Sequence, residues 1–239
     1  MDRKILGIVI ARGGSKSIPR KNIRPFCGKP LIAWSIEAGR DSGVLDRLII
    51  STEDKEIADI ARTLGAEVPF IRPAELAEDV TPTLPVLQHA VQWLREHEGY
   101  YPDYVLLLEP TSPGRQAFHI QEAVALATQT AADSVIALGE VEGHHNCHWQ
   151  IKIDEKGKAL LADGSPWSSV IRRRQDLPKT YFRNGAFYLF KTDLLFAPEP
   201  SLYGNDVRGY ILAPEYSIDI DSPEDWINAE KKLSKLSTV

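Results

Sequence analysis

Three stretches of this chain combine residue types and spacings suited to chemistry on a phosphate. The first, Ala11-Arg12-Gly13-Gly14-Ser15-Lys16-Ser17-Ile18-Pro19-Arg20-Lys21-Asn22, joins a Gly-Gly pair to four basic side chains. Glycine lets backbone N–H groups turn inward around an anion, and Arg12, Lys16, Arg20 and Lys21 supply charge. A Gly-Gly pair alone reads as a plain turn; the four cations make this loop an anion site. In the second stretch, Asp219 and Asp221 stand two residues apart, a spacing that puts both carboxylates on one side of an extended chain. Like charges there repel unless a cation joins them, and Mg²⁺ commonly takes one or two carboxylates together with substrate phosphates. Asp221 or Ser222 also suits a helix cap, with Glu224 and Asp225 set against the helix dipole. The third stretch, Glu109-Pro110-Thr111-Ser112-Pro113-Gly114-Arg115, is a proline-stiffened turn carrying hydroxyls and a cation, read as a substrate contact.

The same patterns exclude familiar alternatives. Lys16 follows Ser15 without the glycine of G-x-x-x-x-G-K-[ST], and G-x-G-x-x-G is absent, so kinase, GTPase and dehydrogenase readings lose support. No G-x-S-x-G elbow supports a hydrolase. His144-His145-Asn146-Cys147-His148 holds zinc-ligand types, but without a Cys-x-x-Cys partner it reads as a polar loop. Arg172-Arg173-Arg174 reads as a solvated charge run before an anion site. Asn184-Gly185 is a turn signal ahead of a strand.

The elements that must position these stretches alternate. Strands are expected at Ile5–Ile10, Leu48–Thr52, Val68–Ile71, Tyr104–Leu108, Ser134–Leu138, Ala186–Phe190 and Tyr210–Leu212. Helices are expected over 31–39, 54–64, 83–97, 116–128 and 223–236. Repeated β-α-β units imply an α/β fold with a mostly parallel sheet flanked by helices, and ligands at the carboxyl ends of the strands. Chemical residues do follow apolar runs: Arg12 to Lys21 the first, Ser51-Thr52-Glu53-Asp54 the second, and Glu109 to Arg115 the central one. The 239 residues suit a single domain over 1–239, with about 141–178 as a projecting arm, a dimer contact or an ordered surface loop. A net charge of −5 argues against a nucleic-acid surface. No apolar run suits a membrane span or signal peptide, and Cys27 and Cys147 make no disulfide framework, so a cytoplasmic setting is expected.

Taken together, the loop from Ile10 to Asn22 resembles the signature of the acylneuraminate cytidylyltransferases, the CMP-sialic acid or CMP-nonulosonic acid synthetases. So do Gly28-Lys29-Pro30-Leu31-Ile32, Arg72-Pro73-Ala74-Glu75-Leu76-Ala77, Leu107-Leu108-Glu109-Pro110-Thr111-Ser112-Pro113, Arg174-Gln175-Asp176-Leu177-Pro178, Asn184-Gly185-Ala186 and Asp219-Ile220-Asp221. The resemblance implies a Rossmann-like nucleotidyltransferase fold, and CTP plus a 2-keto sugar acid giving a CMP-sugar and pyrophosphate. It implies Mg²⁺ and a homodimer whose arm reaches the neighbouring subunit. By position, the loop residues Ala11, Arg12, Gly13, Gly14, Ser15, Lys16 and Lys21 would hold the nucleotide, with Arg12 and Lys21 on its phosphates. Asn22 and Thr83 would read cytosine and ribose, and Asp219 and Asp221 would hold the metal. Glu109, Thr111, Ser112, Gln175 and Asn184 would line the sugar pocket, with Arg174 making anionic contacts. The family usually has Gln where this chain has Glu109. An ionised Glu only accepts hydrogen bonds and would repel a substrate carboxylate, which points away from ordinary N-acetylneuraminate towards a related ulosonic acid. No residue stands out as a general base, and metal-assisted deprotonation is the expectation. The alternatives are a sugar 1-phosphate nucleotidyltransferase and a non-catalytic nucleotide-binding regulator.

Overall fold

The apolar run near the start of the chain becomes strand β1 (Ile5–Ile10), buried through Val9. It leads through the basic loop to a small hairpin, β2 (Pro25–Phe26) with β3 (Lys29–Pro30), and then to α1 (Leu31–Asp41). Next come β4 (Arg47–Ser51), α2 (Lys55–Thr63), α3 (Thr83–Glu98), β5 (Tyr104–Leu108), α4 (Ala117–Thr130) and β6 (Ser134–Glu140). A second hairpin, β7 (Ile151–Ile153) with β8 (Ala159–Leu161), precedes β9 (Tyr181–Lys191), β10 (Val207–Ile211) and α5 (Pro223–Leu236). The computed structural model describes residues 3–236; the single domain expected over 1–239 therefore has ends, 1–2 and 237–239, outside the described residues.

Six strands form one sheet in the order β10-β6-β9-β5-β1-β4. All are parallel except β9, which runs antiparallel to both β5 and β6. This is the mostly parallel, helix-flanked sheet expected from the sequence. Alternate residues of the strands feed opposite faces, as a period of two requires. Leu6 and Ile8 pack with Val105, Leu107 and the Leu87, Val91 and Leu94 face of α3. Ile5 and Val9 pack with Leu106, Leu108 and helices α1, α2 and α4 through Ile36, Ile57 and Ile120.

A third apolar cluster lies at the carboxyl ends of the strands. It joins Ile18 of the basic loop and Phe26 of the first hairpin to Ile218, Ile220 and Trp226. The chain from Ser217 to Asp221 is extended but pairs with no strand. Ile218 and Ile220 turn inward, and Asp219 and Asp221 are left exposed on the other side. The alternation read from the sequence thus holds without a sheet to impose it.

Two elements differ from expectation. Val68–Ile71 is not a strand: a single parallel bridge, Ile49 to Glu67, touches β4 before the chain departs. Pro69 has no N–H with which to continue a ladder. Asn184-Gly185 is not a turn before β9 but lies within it, at a register shift against β6, with Gly185 at φ 74°. The segment 141–178 adds no strand to the central sheet; it carries the β7–β8 hairpin and short 3₁₀ turns.

Gly114 is held against the chain that carries the paired aspartates: a Cβ there would collide with the Tyr216 carbonyl. We expect Gly114→Ala to destabilise the fold by about 1–3 kcal/mol, as forced overpacking does. Urea unfolding measures this, and a wild-type midpoint would contradict the packing described.

Candidate active site

The carboxyl ends of β1 and β5, the start of α3 and the 217–221 chain surround an open cleft of about 450 Å³. Arg12, Ser15, Lys16, Lys21, Asn22, Thr83, Glu109, Thr111 and Asp221, all singled out in the sequence, line it. Asp219 adjoins it through a hydrogen bond with the Thr111 side chain.

Each cation at this rim meets a carboxylate. Arg12 Nη1 lies 2.7 Å from Asp79 Oδ1, and Lys16 pairs with the other oxygen of Asp79. Lys21 Nζ donates to the Ile220 carbonyl at 2.8 Å and lies 3.3 Å from Asp221. This one ammonium joins the basic loop to the aspartate segment. Arg20 faces away from the cleft. It adopts φ 56° and pairs with Asp54, the N-cap of α2, and with Glu56. It braces the loop instead of serving an anion. Gly13 allows this, since a side chain there would collide with Asp54.

The loop amides are partly occupied by the protein itself. Ala11 is buried and its N–H extends the sheet ladder to Ser51 O at 3.1 Å. Gly13 N–H donates to Glu53 Oε1 at 2.7 Å. The other oxygen of Glu53 accepts from the buried Arg72 at 2.7 Å. A cradle of free N–H groups therefore does not extend to these two positions. Asn22 is buried and its amide donates to the Arg12 carbonyl at 3.0 Å, fixing the turn that presents Arg12. A Cβ at Gly14 would meet nothing within 4 Å, so that position is open.

The proline turn is organised from beneath. Arg115, expected as a substrate cation, is buried and holds the Glu109 and Ala186 carbonyls and Ser35 Oγ. Burial lowers its pKa to about 9, opposed by the nearby Glu109 charge. Glu109 itself is half-buried at the cleft, and its carboxyl is pushed up to about 7. Desolvation is the main cause; Asp219 and Asp221 add to it, while Arg115 and Lys21 oppose it. This alters the expectation of a purely accepting, repulsive Glu. Near neutral pH a protonated Glu109 offers an O–H donor beside a carbonyl acceptor, as Gln would offer N–H and O.

The two aspartates suit a magnesium ion. Partial desolvation of its carboxyl beside the cleft, although the residue as a whole is exposed, and the Asp221 charge raise Asp219 above its usual range, against hydrogen bonding from Thr111, so a cation between them would relieve the repulsion. Among the described residues no three His, Cys, Asp or Glu side chains form a ready metal cage.

Besides Ala11, Gly13, Gly14 and Asp219, described above, four predicted residues lie outside the cleft lining. Ser112 is buried, with its hydroxyl unpartnered. Asn184 is buried, accepting from Ala186 N–H at 3.1 Å. Arg174 and Gln175 are exposed on the arm, and Arg174 lines a separate pocket with Glu142 and Pro178. Sequence reasoning missed Asp79 and Glu53 as partners and did not place Arg72 in the site. A lone acid in a polar turn carries no local signal, although the Arg72-Pro73 motif marked the neighbourhood.

Residues 6–198 match the family model described as Cytidylyltransferase. The chain is 36% identical over 232 residues to N-acylneuraminate cytidylyltransferase A of Danio rerio, covering 97% of this chain and 51% of that one. It is 34% identical to a pseudaminic acid cytidylyltransferase of Campylobacter jejuni over 93% of both chains. It thus spans about half the length of the fish relative and nearly all of the bacterial one. Among solved structures, a CMP:2-keto-3-deoxy-manno-octonic acid synthetase complexed with CTP superposes with a TM-score of 0.69 at 15% identity, covering 97% of this chain and 99% of that one. That likeness bears on the fold. The fold is one shared with nucleotidyltransferases, and the chain belongs to the cytidylyltransferase family.

The raised Glu109 pKa has a signed consequence. A carboxyl raised in the fold stabilises the protein fully below its unfolded value, near 4.5, and loses that contribution as pH rises through about 7. Relative to Glu109→Gln, the wild-type protein should lose stability between pH 4.5 and 7 and level off above. Urea unfolding across that range measures the difference, and a constant gap would contradict the assignment.

Proposed function

We propose that this protein activates a sialic-acid-like 2-keto sugar acid with CTP, giving a CMP-sugar and pyrophosphate. The observation that carries this reading is one cleft lined by Arg12, Lys16, Lys21, Asn22, Thr83, Glu109, Thr111 and Asp221. The named relatives act on N-acylneuraminate and pseudaminic acid, which supports a nonulosonic acid as the second substrate.

In this account Arg12, Lys16 and Lys21 hold the triphosphate, with Ser15 and the Gly14 backbone beside it. Asn22 and Thr83 face the nucleoside. The anomeric hydroxyl attacks the α-phosphorus in line, the bond to the bridging oxygen breaks, and pyrophosphate leaves. Negative charge grows on the phosphate oxygens, and fixed cations stabilise it without reorganisation. Asp219 and Asp221 would hold Mg²⁺, which supplies further charge neutralisation at the phosphates. Glu109, Thr111, Ser112 and Asn184 shape the sugar side.

Arg174 and Gln175 stand on the arm and outside their own cleft, which suits a homodimer in which each arm serves its neighbour. Ile151 and Ile153 of the arm are 52% and 66% exposed, and Trp167 is 46% exposed, an apolar surface that a second copy would cover. Both cysteines are free thiols, in keeping with a reducing cytoplasmic setting.

Pyrophosphate release with CTP, ATP, GTP and UTP against free nonulosonic acids and sugar 1-phosphates tests the reading. We expect turnover with CTP and a free sugar acid, lost in Asp221→Ala while the fold persists, and a changed ranking of sugar acids in Glu109→Gln. Turnover confined to sugar phosphates, or CTP binding without pyrophosphate release, would contradict it.

A further inference from the structure

The wall of the cleft opposite the basic loop carries an acid that the proposed reaction does not use. Asp79 lies in the turn between Leu76 and α3, and its two carboxylate oxygens are taken by Arg12 and Lys16. A phosphate group held by those same two side chains competes with the Asp79 oxygens for their charge and for the donors that now face Asp79. Asp79 and a nucleotide phosphate therefore compete for the same two cations.

The pairs are built to exchange. The Lys16 and Asp79 side chains are 83% and 36% exposed, and ion pairs in solvent are weak and screened. Arg72 and Glu53 make the contrast, at 1% and 22% exposure. The turn itself is tied locally, by Ala77 N–H to Ala74 O at 2.9 Å and Thr81 N–H to Glu78 O at 3.1 Å. Among the described residues, the polar contacts that carry it across the cleft are those of Asp79. Its neighbour Val80 is 84% exposed, so nothing apolar anchors the tip.

We propose that Asp79 is an internal competitor for the triphosphate, occupying the Arg12 and Lys16 grip in the free protein and giving it up to nucleotide. The inference rests on the reading of Arg12 and Lys16 as phosphate ligands. In the free protein the Asp79 carboxylate offsets the repulsion between the two cations and keeps them facing the cleft. Nucleotide then enters by exchanging one anion for another. As pyrophosphate leaves, Asp79 returns to the same two cations and opposes rebinding. The competition concerns phosphate alone, so its strength should follow the number of phosphates and ignore the base.

Calorimetric titration of the full chain with CTP, GTP, CMP, cytidine and inorganic tripolyphosphate tests this. Asp79→Asn should tighten CTP and tripolyphosphate by about threefold to tenfold, the factor by which a competing closed state depresses apparent affinity. CMP should gain less and cytidine nothing. Asp79→Glu, which keeps the charge, should stay near wild type, and Asp79→Ser provides a second neutral variant should Asp79→Asn fold poorly. Unchanged or weaker tripolyphosphate binding in a folded neutral variant overturns the proposal, as does an equal gain for cytidine. If tripolyphosphate tightens as expected but CTP is bound no better than GTP, the role of Asp79 stands and the cytidine reading falls.

Discussion

Cations crowded in and around the basic loop repel one another, and the structure pairs them with carboxylates. Arg12 and Lys16 share Asp79, Lys21 meets Asp221, Arg20 meets Asp54 and Arg72 meets Glu53. The pairs are unequal in solvent exposure, and that inequality sorts their roles. Arg72 is buried, and breaking a buried pair by removing one partner costs about 3–5 kcal/mol, so its pairing with Glu53 is architectural. Through Glu53 it also fixes the Gly13 amide. The Lys16–Asp79 pair stands in solvent, where our proposal has it traded for a substrate anion. The same charge pattern thus yields a rigid brace below and an exchangeable grip above.

The grip is useful only if it faces the aspartates, which lie some two hundred residues further along the chain. An apolar contact provides this. Ile18, in the middle of the basic loop, packs in one cluster with Ile218, Ile220 and Trp226. With Ile218 and Ile220 directed inward, Asp219 and Asp221 stay exposed at the cleft side, and Lys21 closes the join by donating to the Ile220 carbonyl. Thr111 adds a second tie, since its carbonyl accepts from Ile220 N–H at 3.0 Å. Burial of two isoleucines therefore sets the position of two carboxylates, and the buried Arg115 sets the turn that meets them.

Much of this was readable in the sequence because it is local. The apolar runs at Ile5–Ile10 and Tyr104–Leu108 announce buried strands, and the Ile-Asp alternation at 218–221 announces its own facing. Lys21 and Asp221 were both singled out by residue type and spacing. What escaped depends on partners far apart in the chain. Arg115 looked like a surface cation because nothing near it in sequence reveals the Ser35 hydroxyl and Ala186 carbonyl that bury it. Arg20 looked like a phosphate ligand because Asp54 belongs to another helix. The neutral-range pKa of Glu109 comes from desolvation and from two acids more than a hundred residues away. Val68–Ile71 misled in the opposite sense: its composition is strand-like, but Pro69 and the departure of the chain after Glu67 leave it outside the ladder.

In the proposed function, the loop from Arg12 to Lys21 holds a cytidine triphosphate facing Asp219 and Asp221. A crystal structure of the protein grown with CTP and Mg²⁺ tests it most directly. We expect the triphosphate between Arg12, Lys16 and Lys21, the metal at the two aspartates, and Asp79 released from both of its present partners. Nucleotide bound elsewhere, or bound in the cleft with Arg12 and Lys16 still paired to Asp79, would contradict it.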